Sequence, residues 1–105
     1  MAPPEALVVS ARHSGHRGAI RLVGEFDMSG TESFRAVVGD VVARRPAVIE
    51  VDAAQLEFID AAGLRELVVA RELADANGIA FRIGRRSRPL VRILDMTGLD
   101  EVFEG

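Results

Sequence analysis

The chain has 105 residues, of which 49% are hydrophobic, enough for one compact core and too few for two domains. Its formal net charge of -3 disfavours a nucleic-acid-binding protein, because such proteins present a basic surface. It has no cysteine, and its longest apolar runs fall far short of the roughly 18 residues that a membrane span needs. We therefore expect a flexible tail over 1–6 and a single soluble, cytoplasmic domain over 7–105, without membrane insertion or cofactor.

The first part of the chain predicts a β-hairpin followed by a helix. Alternating apolar residues over 7–13 and 19–26 flank the turn-forming cluster Ser14–Gly18, which favours two antiparallel strands. Ser29 and Glu32 have the spacing of a capping box, so a helix should begin there. Its apolar positions then recur at helical spacing until a proline ends it. These positions are Phe34, Val37, Val38, Val41 and Val42.

Strands and helices then alternate. Ala47–Val51 is short and rich in apolar residues, which predicts a strand buried on both faces. Asp60 is a natural N-cap for a second helix that runs to Ala76. Ile79–Ile83 predicts a further strand, ended by Gly84.

A third helix is expected after Ser87, with a proline in its first turn and Gly98 as its stop. The element order is therefore β-β-α-β-α-β-α. Strands that are joined through a helix lie parallel, whereas a short turn joins antiparallel strands. The predicted fold is a small mixed α/β sheet covered by helices.

Three segments, in this order, resemble a known family. The Gly24–Asp27 turn, the Phe58–Leu64 junction and the Leu90–Leu99 run are similar to the STAS domain of bacterial anti-sigma factor antagonists, or anti-anti-sigma factors. The similarity extends from about Leu7 to Phe103. It implies a transcription regulator without catalysis of its own, which works by partner switching: it binds an anti-sigma factor of the serine-kinase type and so frees a sigma factor.

In that family the switch is a serine directly after the aspartate, and its phosphorylation breaks the complex. Ala61 holds this position here, and the next residue, Ala62, also lacks a hydroxyl. The resemblance therefore implies a lost phospho-acceptor and constitutive binding. The two alanines are also consistent with a favourable first helical turn in a member that lost the switch, or with a deliberate replacement. Ser29 and Thr31 carry hydroxyls nearby, but a capping role accounts for them better.

The resemblance also implies that the partner binds at the two turns that follow the second and third strands. The residues predicted to take part are Asp27, Met28, Ser29, Asp60, Ala61, Ala62, Gly63, Leu64 and Arg65. An alternative function is that of a non-enzymatic accessory subunit of a lipid or anion transport assembly, since STAS-like domains also occur there.

An enzyme is the weakest interpretation. Carboxylates near the predicted strand ends could bind a metal or transfer protons; they are Glu25, Asp27, Glu50, Asp52 and Asp60. However, no histidine or cysteine neighbours them in sequence, and no glycine-rich phosphate loop follows a strand. His13 and His16 are expected to be exposed at the first hairpin. The arginines of 82–92 are expected to be solvated, although they could meet an acidic partner.

Overall fold

Strands and helices alternate along residues 6–104, the part of the chain that this computed structural model describes. The elements are β1 (Val8–Ser14), β2 (Arg17–Phe26), α1 (Thr31–Ala43), β3 (Val48–Ile59), α2 (Ala61–Ala76), β4 (Ala80–Arg86) and α3 (Arg88–Thr97), with 3-10 turns over Met28–Gly30 and Asp100–Phe103. The predicted order is confirmed. The tail predicted for 1–6 lies outside the described residues, except for Ala6, and so does Gly105.

The strands form one sheet in the order β1-β2-β3-β4. β1 and β2 are antiparallel, and Val8 lies opposite Val23. β2 runs parallel to β3, and β3 runs parallel to β4. The mixed sheet is therefore as predicted, and parallel β2 and β3 end at the same edge.

Only one face of the sheet is buried. Alternate strand residues form the core with apolar side chains of the helices: Ile20, Leu22, Phe26, Ile49, Val51, Leu56, Ile83, Phe34, Leu67, Leu90 and Leu94. Each such side chain stabilises the fold by about 1.5–3 kcal/mol relative to an exposed one. The prediction that the third strand is buried on both faces is wrong, because Glu50 and Asp52 point to the opposite face and are partly exposed.

Three strands are longer than predicted. β2 begins at Arg17 and not at Ala19. β3 continues beyond Val51 to Ile59, because β2 supplies a hydrogen-bonding neighbour along its whole length. β4 does not end at Gly84 but continues to Arg86, which pairs with Ala53. Pairing with a neighbouring strand keeps these segments extended.

The helix ends follow the sequence to different degrees. The bounds of α2 agree with the prediction, and Gly98 ends α3 in the left-handed conformation with φ 72°. The prediction of a capping box at Ser29 is wrong. Gly30 is the N-cap of α1, and Asp27 caps the 3-10 turn that precedes this helix. Ser87 is the N-cap of α3, but its buried hydroxyl finds no hydrogen-bond partner among the described residues.

No described helix has the length and apolar character of a membrane span.

Candidate functional site

Two strand ends meet at one edge of the sheet. Phe26, the last residue of β2, lies opposite Ile59, the last residue of β3. The backbone N–H of Asp60 donates to the carbonyl of Phe26 at 3.3 Å. The turns that begin with Asp27 and Asp60 are consequently side by side, as parallel pairing requires.

Asp27 orders the first of these turns. Its Oδ1 accepts hydrogen bonds from the backbone N–H of Ser29, at 2.9 Å, and from the Ser29 hydroxyl. The hydroxyl bond is the largest of the effects that hold the pKa of Asp27 below its ordinary value of 3.8, followed by the backbone bond. Asp27 is therefore a stable negative charge at this edge, and it engages the hydroxyl of Ser29.

Asp60 plays the same part in the second turn. Its backbone is extended, and its Oδ1 accepts from the backbone N–H of Gly63 at 3.1 Å. This bond satisfies one of the amide groups that the first turn of α2 leaves without a partner. Both junctions thus use one device, an aspartate that caps the helical turn immediately after a parallel strand.

Gly63 brings the first turn of α2 against the end of β2. A Cβ atom at this position would lie 2.4 Å from the carbonyl oxygen of Phe26 and 2.9 Å from Cγ1 of Ile59. Only glycine permits so close an approach. The outward side of the same turn carries Ala61, which is exposed.

The predicted partner-binding residues fall into three groups. Met28, Ser29, Ala61 and Arg65 are exposed, and 75% of the Met28 side chain is accessible. Asp27, Asp60 and Ala62 are partly exposed. Gly63 and Leu64 are buried, so they position the turn and are not available for direct contact. The two turns bring the accessible residues together on one edge of the domain.

Sequence reasoning missed an ion pair that joins α1 to α2 behind this edge. Arg35 donates two hydrogen bonds to the Glu66 carboxylate, from Nε at 2.8 Å and from an Nη atom at 2.7 Å. Glu66 is only 4% exposed, and the bonds from Arg35 hold its pKa below the ordinary 4.5 against the opposing effect of burial. The sequence held one indication of this pair. Glu66 is next to Leu67, which is on the inward face of the helix, and a buried carboxylate needs a partner.

Two of the remaining carboxylates that the sequence singled out are paired with arginines. Glu50 bridges Arg17 and Arg82, and Asp52 pairs with Arg85 at 3.6 Å. Both acids lie in the middle of β3 and not at a strand end, because β3 is longer than predicted. No group of three or more potential metal ligands occurs within residues 6–104.

The two histidines and the arginines of the cluster lie elsewhere. His13 and His16 are exposed at the first hairpin. Three arginines of the 82–92 cluster are ion-paired and not simply solvated, since Arg82, Arg85 and Arg86 contact carboxylates. Within 6–104, Arg88 and Arg92 make no such pair.

Comparison with known proteins agrees with this architecture. The family model described as "Mlab, STAS domain" matches residues 9–104. The anti-sigma-F factor antagonist RsfB of Mycobacterium tuberculosis is 24% identical over 98% of this chain and 84% of its own length.

Solved structures show the same fold. An anti-sigma factor antagonist from Mycobacterium paratuberculosis has a TM-score of 0.84 at 24% identity, over 98% of this chain and 87% of that one. The antagonist SpoIIAA in its unphosphorylated form has a TM-score of 0.75 at 20% identity, over 91% and 84%. Because the family model spans nearly the whole chain, this protein belongs to the STAS family.

Proposed function

We propose that this domain is an anti-sigma factor antagonist, which binds an anti-sigma factor of the serine-kinase type and thereby frees a sigma factor. Relatives and structural neighbours with that name support the general role. The edge formed by the turns that begin with Asp27 and Asp60 supports a docking function. It presents Met28 and Ala61 to solvent beside the two aspartates. The alternative, an accessory subunit of a transport assembly, has less support because RsfB and the two solved structures are named as antagonists.

The observation that carries the proposal is the position of Ala61. It is the first residue of α2, directly after the capping aspartate, and its side chain is exposed. This is where the resemblance to partner-switching antagonists implies the phospho-acceptor serine. A methyl group there cannot accept phosphate. We infer that the domain remains in its binding-competent form whether or not ATP is present.

The physical chemistry of this position explains why a hydroxyl there would act as a switch. A phosphoryl group would meet the free N–H groups and the positive end of the α2 dipole, so the fold would tolerate it. Arg65, one helical turn later, is exposed and could pair with it. About two negative charges would nevertheless appear beside Asp27 and Asp60, on the surface that contacts the partner.

Phosphorylation of an Ala61→Ser variant tests the proposal. The wild-type domain should form a stable complex with the serine-kinase anti-sigma factor encoded in the same genome, with ATP present and no phosphate incorporated. Ala61→Ser should bind, become phosphorylated and dissociate. The substitution costs only about 0.5 kcal/mol in helix propensity, so the fold should persist. Mass spectrometry and size-exclusion chromatography report the two events.

Ala76→Ser is the matched control, because Ala76 is also exposed but ends the same helix. It should gain no phosphate and keep the complex. Phosphorylation of the wild-type domain at Ser29 or Thr31, followed by dissociation, would contradict constitutive binding. Failure of the wild-type domain to bind the anti-sigma factor would contradict the antagonist role itself.

A further inference from the structure

Helix α2 carries an apolar stripe on its outer side. Val69 is 45% exposed and Leu73 is 42% exposed, although both are large aliphatic residues. Ala62, which is partly exposed, and Ala76, which is exposed, extend the stripe towards the two ends of the helix. All four share one side of α2, because a helix has about 3.6 residues per turn. The opposite side packs on the core through Leu67, so the domain does not need this stripe for its own core.

A groove of about 240 Å³ lies between the stripe and α1. Arg35 and Glu66 line it and bond to each other, so they add no net charge. The rest of the lining is apolar and consists of Phe34, Val38, Val69, Ala70 and Leu73. The stripe and the groove together form one exposed apolar surface, which we call the α1–α2 face.

Two charges of opposite sign flank the stripe on the side away from α1. Arg65 precedes Val69 by about one helical turn, and Glu72 follows it by slightly less than one turn. Both side chains are exposed. Neither makes an ion pair among the described residues. This flank therefore offers one free charge of each sign.

The other charges near the α1–α2 face have neighbours of their own. Glu66 is adjacent to Arg65 in sequence, but its carboxylate is bonded to Arg35. Glu32 precedes Arg35 by one turn of α1, where the two can attract each other. The remaining charged pair of α2, Arg71 and Asp75, lines a different groove beside β4.

A second copy of α2 matches this pattern when it lies antiparallel to the first, with Val69 on the two-fold axis. Reversal about Val69 brings Ala62 of each copy opposite Ala76 of the other. Arg65 lies about 6 Å before Val69 along the helix and Glu72 about 4.5 Å after it. The two-fold axis keeps the charged flanks on one side, so Arg65 of each copy meets Glu72 of the other. A parallel arrangement would instead oppose like charges.

From the uncovered stripe, the groove and these self-complementary charges, we propose that a second copy of this chain occupies the α1–α2 face, bound antiparallel through α2. Val69 and Leu73 of each copy cover the groove of the other, and the same patch serves both copies, as in an isologous dimer. The stripe is only about 21 Å long, so the interface is small and the dimer should be weak. The proposal does not depend on the antagonist function.

Sedimentation equilibrium of the intact domain, from about 10 μM to about 1 mM, tests for such a weak dimer. The wild type should change from monomer to dimer within this range. Val69→Ala and Leu73→Ala should each weaken association by about tenfold or more, because both copies lose the contact. Alanine favours a helix, so α2 should persist. Val91→Ala truncates a valine of α3 that is 39% exposed, and it should leave association unchanged.

Charge reversal tests the antiparallel pairing. Arg65→Glu places two carboxylates at each pair and Glu72→Arg places two guanidinium groups there, so each variant alone should associate about tenfold more weakly. An equimolar mixture of the two variants should dimerise about as tightly as the wild type, because every reversed charge then meets its opposite. Arg12→Glu makes the same charge change at an exposed site on β1 and should have a much smaller effect.

Three results would overturn the proposal: a wild-type domain that remains monomeric at about 1 mM, association that Val69→Ala and Leu73→Ala leave unchanged, or a mixture that associates no better than either charge variant alone. The first result would assign the α1–α2 face to a different protein. No anti-sigma factor is present in these measurements, so their failure is distinguishable from failure of the proposed function.

Discussion

At the scale of single residues, Gly63 fixes how closely α2 approaches the sheet. Gly63→Ala would place a methyl group 2.4 Å from the Phe26 carbonyl oxygen, a backbone atom that cannot turn aside. We expect a loss of about 2–3 kcal/mol in the free energy of unfolding, because relief of the clash requires α2 to shift. The helix propensity of alanine would recover only about 1 kcal/mol. Urea unfolding measures the balance.

Gly39→Ala is the control for this substitution. Gly39 lies within α1, is exposed, and would have no atom near a Cβ. Alanine there should stabilise the domain by about 0.5–1 kcal/mol through propensity alone. Equal effects of the two substitutions would show that the contact between Gly63 and Phe26 does not constrain α2.

At the scale of helices and strands, the pair Arg35–Glu66 connects α1 to α2 and should make stability depend on pH. The pKa of Glu66 is lowered in the folded state, so its contribution is complete above the ordinary value of about 4.5. It is lost as the pH falls through the lower folded value, because protonation weakens the bonds from Arg35. Glu66→Gln should therefore flatten the fall in unfolding free energy that the wild type shows on acidification.

Glu72→Gln provides the comparison, since Glu72 is an exposed residue of the same helix. Its stability profile should follow that of the wild type through the acidic range. Urea titrations at a series of pH values measure both variants. If Glu66→Gln retained the full acid dependence, other carboxylates would have to account for it.

The sequence predicted those elements whose boundaries depend on local chemistry. The ends of α2 were predictable because Asp60 and the Asn77-Gly78 pair act within a few residues of themselves. The end of β3 was not predictable, since residues beyond Val51 stay extended through pairing with β2, which is distant in sequence. The preceding loop shows the same limit: Ser29 and Glu32 suggested a cap, but Asp27 takes that role through its own turn.

The candidate site was predictable in position and less so in composition. The order of strands places Asp27 and Asp60 side by side without knowledge of any side chain. Burial of Gly63 depends on the docking of α2 against Phe26 and Ile59, which are distant from it in sequence or belong to another element.

At the scale of the whole molecule, we expect the central strands β2 and β3 to open less readily than the edge strand β1. β2 and β3 each pair on two sides and bury alternate side chains, whereas almost every β1 side chain is exposed. Backbone amides of β1 should exchange with solvent at least about tenfold faster than those in the middle of β3, from local opening. Mass spectrometry after deuterium labelling measures this difference. Equal protection would mean that the sheet opens only as a unit.

The length of β2 also separates two ends of the domain. Its ten residues extend from the tight turn at Gly15 and His16 to the edge that carries Met28, a distance of about 30 Å. A dye or a surface tether attached at that turn would therefore stand well clear of any macromolecule held at the other end. Immobilised in this orientation, the protein would present the proposed docking edge of every copy to solution, so kinetic sensors could record association without steric interference from the support.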